Sequence, residues 1–255
     1  MELLKQLLKK TQSELLQYLS EELKKYYTNI TVTDEYIAAQ GTIPIVLIAH
    51  LDTVFIDEHR KDMTIVYDKE QQILWSPQGL GTDDRAGVFM ILTLLKETDL
   101  RPHILFTTNE ETEATGALAV ANITMKNKLF GNVSYIIELD RQGFLEAVYY
   151  DCDNPDFEEY ITSFGFETRA GTFTDISIIC PEWDVAGVNL SVGYYYEHSY
   201  AEHFYLAAWY NTYKRLIEML KVETGKVWKY IPAEIDVTAI KKMLGGMTYS
   251  QRSKR

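Results

Sequence analysis

Cysteine is scarce in this chain of 255 residues, which carries two, Cys152 and Cys180. Two thiols outside a C-x-x-C spacing make neither a disulfide framework nor a cysteine metal site. The expectation is two free thiols in a reducing, cytoplasmic setting. Positive charge is short as well: 25 Lys and Arg face 37 Asp and Glu, a net charge of −12. Phosphate backbones and anionic lipid would repel such a chain, so neither nucleic acid nor a membrane surface is an expected partner. A small acidic substrate held by a local Arg or Lys stays compatible with it. No apolar run approaches the ~20 residues that cross a bilayer. The opening MELLKQLLKK interleaves Lys5, Lys9 and Lys10 with leucines and lacks the unbroken apolar stretch of a secretory signal. Internal repeats, low-complexity tracts and Gly/Ser/Pro linkers are missing too. The expectation is one domain over 1–244 and a basic, flexible tail over 245–255.

What is present is an ordinary globular composition, 46% hydrophobic and 24% charged, with enough length for a sizeable core. Leu3, Leu4, Leu7, Leu8, Leu15, Leu16, Leu19 and Leu23 recur near the 3.6 period, so residues 2–27 read as one or two amphipathic helices. Ile30 to Ala38 alternates loosely, as an edge strand does. Ile43–Ala49 is a short continuous apolar run, the mark of a strand covered on both faces. Met63–Tyr67 and Ile73–Trp75 flank Asp68–Gln72 like a hairpin. Ala86–Lys96 has a helical pattern, Ile104–Thr108 a strand pattern, Ala114–Ile123 a helical one, and Val133–Leu139 and Val188–Val192 strand patterns. A last helix is expected from about Ser199 to Lys221. This alternation points to an α/β sandwich around a largely parallel sheet.

Acids and histidines collect where these apolar runs end. Ile43–Ala49 runs into His50-Leu-Asp52, Ile104–Thr108 into Asn109-Glu110-Glu111, and Val133–Leu139 into Asp140. Asp83 and Asp84 stand just before a helix, and His198 follows Val188–Val192 by one loop. An open α/β sheet places its functional crevice at the carboxyl ends of the strands. Parallel strands would bring His50, Asp83, Glu110, Glu111, Asp140 and His198 together there. Carboxylates crowded in this way repel one another unless cations stand between them. Imidazoles and carboxylates are donors that zinc and similar divalent metals accept.

The stretches AHLDTV (49–54), GTDDRAG (81–87), TTNEETEATGA (107–117), IIELDRQG (136–143) and EHSYAE (197–202) resemble, in order and approximate spacing, the motifs of the di-zinc exopeptidases of peptidase clan MH. That superfamily includes aminopeptidases, Gly- and Glu-releasing carboxypeptidases and aminoacylases. The resemblance implies a three-layer αβα sandwich with a mixed, largely parallel central sheet. It implies that His50 and Asp140 hold one metal, Glu111 and His198 the other, and Asp83 bridges them. It further implies a cis Asp83–Asp84 bond, Asp52 orienting the His50 ring, and Glu110 as general base. The implied cofactors are two divalent ions, zinc by family, with Mn and Co accepting the same donors.

Each residue also has an ordinary use. His50 alone is a satisfied core histidine, Asp83 or Asp84 a helix N-cap, Glu110, Glu111 and Glu113 a solvated first turn, and Asp140 a turn cap. His203 competes with His198 for the last ligand position. Ser199-x-x-Glu202 reads as a capping box that leaves His198 in the loop and puts His203 on the helix, which favours His198. Thr174-Asp175 reads as the N-cap of Ile176–Cys180, although relatives carry a similar element near the site. Tyr149, Tyr150 and Tyr194–Tyr196 are candidates to line a substrate pocket or simply to pack. Arg85 and Arg141 either face the cluster, bind a substrate carboxylate or form structural ion pairs.

Some relatives insert a lid domain of ~100 residues. Neither the His50–Asp83 nor the Asp140–His198 interval is long enough for one, so the plan is lidless, with Asp151–Phe173 the candidate selectivity loop by its irregularity. The expected function is hydrolysis of an amide bond in a peptide or acylated amino acid, most simply by an aminopeptidase-like exopeptidase. An N-acyl amino acid deacylase or amidase would use the same metal pair. A non-catalytic binding domain that keeps the fold is the competing class. Oligomeric state stays open, with the Met63–Trp75 hairpin a candidate contact surface.

Overall fold

Two leucine-rich helices open the chain, α1 (Glu2–Leu8) and α2 (Gln12–Leu23). Leu4, Leu7, Leu8, Leu15, Leu19 and Leu23 are fully buried, each contributing roughly 1.5–3 kcal/mol. Thr11 and Glu14 form a reciprocal capping box that starts α2. The structure, a computed structural model, describes residues 1–234. The tail expected over 245–255 lies outside the described residues.

The helices are followed by β1 (Ile30–Val32), β2 (Tyr36–Ala39) and β3 (Ile43–His50). The expected hairpin is β4 (Val66–Asp68) and β5 (Ile73–Trp75). Next come α3 (Thr82–Glu97), β6 (Pro102–Thr107), α4 (Thr115–Val120), α5 (Ile123–Leu129) and β7 (Tyr135–Arg141). The last part holds β8 (Glu146–Val148), α6 (Pro155–Thr162), β9 (Glu167–Thr168), α7 (Asp175–Trp183) and β10 (Gly187–Ser191). It closes with β11 (Tyr194–Tyr195), β12 (His203–Tyr205) and α8 (Leu206–Lys221).

Eight strands form the main sheet in the order β1-β2-β6-β3-β7-β10-β8-β9. The central β6, β3, β7 and β10 run parallel, with antiparallel pairings at β1–β2, β2–β6 and β10–β8. Period-2 alternation splits each central strand between two cores. Ile45, Leu47 and Ala49 of β3 pack with α1, α2, α3 and α8, whereas Val46 and Ile48 pack with α4 and α7. The fold is thus a three-layer αβα sandwich with a mixed, largely parallel sheet. A smaller antiparallel sheet, β11-β12-β5-β4, adds to one side.

Three local expectations are corrected. The last helix begins at Leu206, because Glu202 is drawn into a long-range contact and residues 203–205 pair with β5 instead. The helix expected over Ala114–Ile123 breaks at Ala121, where the Asn122 side chain caps a second helix. The Asp151–Phe173 stretch contains α6, capped by Asn154, and β9.

Strand register sets up the site. His50, the last residue of β3, pairs with Thr107, the last of β6. Glu138 of β7 pairs with Ile48, so Asp140, two residues on, comes level with His50. The carboxyl ends of these strands therefore bring His50, Asp140 and the Asn109–Glu111 turn to one edge.

Candidate metal centre

Asp83 lies at the middle of this edge. Its Oδ1 is 3.2 Å from His50 Nε2, and its Oδ2 is 3.1 Å from His198 Nε2. Asp140 Oδ1 stands 3.5 Å from His50 Nε2, and Glu111 Oε2 stands 3.0 Å from His198 Nε2. Three donor sets result: His50–Asp83–Asp140 and Asp83–Glu111–His198, to each of which Asp83 offers one oxygen, and His50–Glu110–Glu111. In each set one ligand atom per residue lies within 4.8 Å of the others. The two imidazoles differ in exposure: the His50 side chain is 1% accessible and that of His198 is 52%.

The backbone around Asp83 is unusual, and its supports come from afar. Gly81 has φ +70°, and a Cβ there would meet the Arg60 guanidinium at 2.5 Å. Asp83 and Asp84 interrupt the start of α3 and are joined by a cis peptide, as the resemblance implied. Asp84 has the ordinary use: its Oδ1 accepts from Gly87 N–H at 3.0 Å as a helix cap. Its Oδ2 accepts from His50 N–H at 3.3 Å. The buried Glu202 carboxylate accepts from Gly81 N–H (2.9 Å), Thr82 Oγ1 (2.6 Å), Asp83 N–H (3.2 Å) and Thr82 N–H. Sequence reading assigned Glu202 to a capping box; in the fold it clasps the turn that presents Asp83.

Asp52 does more than face His50, whose Nδ1 is 3.3 Å from its Oδ1. Asp52 Oδ1 and Oδ2 accept the backbone N–H groups of Glu110 and Glu111, each at 3.0 Å. Asp140 is held by Thr174 Oγ1 and Tyr194 Oη, each donating at 3.1 Å to its carboxylate. The Asn189 side-chain amide grips the Asp140 backbone on both sides, N–H and C=O, at 2.9 Å. Thr174 also caps α7, as expected, and Asp175 accepts from Thr107 Oγ1 behind the site. Asn189, Tyr194 and Glu138 lay outside the expected ligand and base set. Asn189 and Glu138 are buried polar residues on apolar strands, a signal in itself.

His203 lies elsewhere, on β12, where its Nδ1 donates to Ala201 C=O and its ring stacks on Tyr195. Arg85 donates to the carbonyls of Leu7, Lys10 and Leu51, and Arg141 pairs with Glu146 at 2.8 Å. Tyr150 accepts from Asn189, and Tyr196 is exposed.

The electrostatics express crowding. Burial pushes Glu110 up to about 9, helped by the charges of Asp140, Asp175 and Glu111. Burial and then Asp83 push Asp140 up to about 7. Burial alone would lower His50, but Asp140, Asp52 and Asp83 outweigh it and raise it. Hydrogen bonds to Asp83 and Glu111 push His198 up to about 11. Protons or cations must therefore stand between these groups. Glu111 Oε1 is buried without any hydrogen-bond partner, as a ligand oxygen facing a cation would be. Two imidazoles, three carboxylates and this orphaned oxygen fit divalent metals well.

The fold is similar to that of solved tripeptidase and aminopeptidase structures. No protein-family model matches the sequence, and no curated protein does either. Among solved structures, the chain is similar to a tripeptidase from Staphylococcus aureus, with TM-score 0.67 and 13% identity over 86% of this chain and 96% of that one. Aminopeptidase PepT from Bacillus cereus gives TM-score 0.66 and 13% identity, over 86% and 96% of the two chains. An aminopeptidase from the archaeon Desulfurococcus kamchatkensis gives 0.64 and 14%, over 88% and 94%.

Proposed function

We propose that the protein is a metal-dependent hydrolase that cleaves an amide bond, acting as an aminopeptidase-like exopeptidase through one catalytic domain over 1–244. The observation that carries this reading is the pair of donor sets sharing Asp83. His50 and Asp140 would hold one ion, Glu111 and His198 the other, and Asp83 both. Bound there, two divalent cations, zinc by family, would polarise the scissile carbonyl and lower the pKa of a water towards ~7.

The chain's own residues supply the rest. Glu110 adjoins the ligand Glu111 and stands outside both Asp83-sharing sets, although it also groups with His50 and Glu111. The charge of cations beside it would favour its ionised form, and that carboxylate would take the attacking water's proton. It then returns that proton to the leaving amine. Asp52 orients His50 and fixes the backbone of both glutamates, so base and ligand keep separate directions. Thr174 and Tyr194 hold Asp140 in place. The exposed His198 side marks where substrate enters.

A deacylase would need a cation for the substrate carboxylate. Buried Arg85 is committed to backbone carbonyls, whereas Arg141 pairs with Glu146 through Nε alone. The aminopeptidase reading is preferred on the likeness of the fold to aminopeptidase and tripeptidase structures. The test pairs metal analysis with a panel of free peptides, N-blocked peptides and N-acyl amino acids, on parent and Glu110→Gln proteins. About two ions per chain are expected in both. Release of the N-terminal residue is expected from the parent, with a loss of roughly 10²–10⁴-fold in the variant. A folded parent that binds no metal, or a fully active Glu110→Gln protein, would overturn the reading.

A further inference from the structure

The bend between α1 and α2 touches the segments that carry the site. Buried Arg85 donates through Nη1 to Leu7 C=O (2.8 Å) and Lys10 C=O (2.7 Å), and through Nε to Leu51 C=O (3.2 Å), between His50 and Asp52. Buried Arg60 ties Leu8 C=O (3.0 Å) to Leu80 C=O (2.8 Å), next to the Gly81 turn. Two guanidinium groups thus fasten the end of α1 onto the loops bearing His50, Asp52 and Asp83.

Gln12, the first residue of α2, completes the fastening on the remaining loop. Its backbone N–H donates to Asp57 Oδ2 at 3.0 Å, which fixes its position. Its side-chain amide makes a two-bond pair with Asn109. Gln12 Nε2 donates to Asn109 Oδ1 at 2.9 Å, and Asn109 N–H donates to Gln12 Oε1 at 3.1 Å. Asn109 has φ +59°, a left-handed conformation that asparagine tolerates, and immediately precedes Glu110 and Glu111. The Asn109–Glu111 turn is thereby gripped from two directions, by Asp52 on the glutamate N–H groups and by Gln12 on Asn109.

We propose that Gln12 is a positioning residue: it sets the direction in which Glu110 and Glu111 leave the turn. The proposal rests on the reading that Glu110 carries the proton. The bond to the Asn109 side chain has a built-in alternative. Asn109 Nδ2 donates to Thr115 Oγ1 at 2.8 Å, and a hydroxyl both donates and accepts. In Gln12→Glu the Asn109 amide can rotate, donate to the new carboxylate and accept from Thr115, so both bonds to position 12 survive. In Gln12→Ala neither does.

The test measures kcat and KM of metal-loaded parent, Gln12→Ala and Gln12→Glu proteins, together with amide hydrogen exchange at Glu110 and Glu111. Misdirecting the base should lower kcat of metal-saturated Gln12→Ala by roughly tenfold to a hundredfold with KM near the parent's, and misdirecting Glu111 should weaken its metal affinity. Gln12→Glu should restore kcat to within about threefold. Exchange at the two glutamate amides should quicken in Gln12→Ala alone. Unchanged kcat and exchange in Gln12→Ala, or a loss that Gln12→Glu shares in full, would overturn the proposal. An inactive parent would sink the hydrolase reading instead, and the exchange rates alone would then decide whether Gln12 holds the turn.

Discussion

Glu202→Gln is the substitution that most directly probes how Asp83 is presented. In the parent, Glu202 Oε1 accepts from Thr82 N–H, Thr82 Oγ1 and Asp83 N–H, and Oε2 accepts from Gly81 N–H. A glutamine has the same shape. Its amide oxygen can take the Oε1 position and keep that group of donors. Its NH2 then faces Gly81 N–H, donor against donor. The loss is one hydrogen bond to the carboxylate plus an unsatisfied buried donor, about 1–3 kcal/mol. If that falls on the placement of Asp83, metal affinity drops by roughly 10–100-fold, the usual cost of removing a ligand's support. Competition against a chromogenic chelator reads the affinity, and urea unfolding of the metal-free protein reads the stability. Both should fall while far-ultraviolet circular dichroism stays unchanged. A Glu202→Gln protein with the parent's metal affinity would refute the idea that this carboxylate sets the geometry of Asp83.

Asp52→Asn turns an acceptor that serves two glutamate N–H groups and faces His50 into a half-donor. Activity should fall by roughly 10–100-fold with less effect on folding, and parent-like kinetics would contradict the role given to Asp52. His103 gives a pH prediction away from the metal centre. Its Nδ1 accepts from Gly41 N–H at 3.0 Å, its Nε2 donates to Asn132 C=O, and burial lowers its pKa. With the folded pKa below the unfolded value of ~6.5, the neutral ring's contribution is full above that pH and is lost as pH falls through the folded pKa. Denaturation curves should show the parent losing up to about 1.4 kcal/mol per pH unit in that window relative to His103→Gln, and parallel curves would exclude the effect.

Much of the fold was legible because burial leaves a periodic trace. The leucines of α1 and α2 return at helical spacing, and β3 is apolar throughout because it is covered on both faces. The expected donors were legible because they fall where those traces stop, and the strands carry them to one edge. What stayed hidden were contacts between side chains and distant backbone, which leave no periodicity. Ser199-x-x-Glu202 looks like a local cap, yet Glu202 serves residues about 120 positions away. Gln12 and Asn109 are 97 positions apart, and nothing in either neighbourhood announces the other. Asn189 was readable only as a polar interruption of an apolar strand, and its grip on Asp140 depends on β10 lying beside β7.

Because a single carboxylate faces both histidines, the halves of this centre have no independent adjustment at their junction. Any alteration that shifts the Gly81–Asp83 turn detunes the pair together. If two cations occupy the centre as proposed, redesign of one half's metal preference would have to begin at the outer donors, Asp140 on one flank or Glu111 on the other, and leave the shared hinge pin untouched.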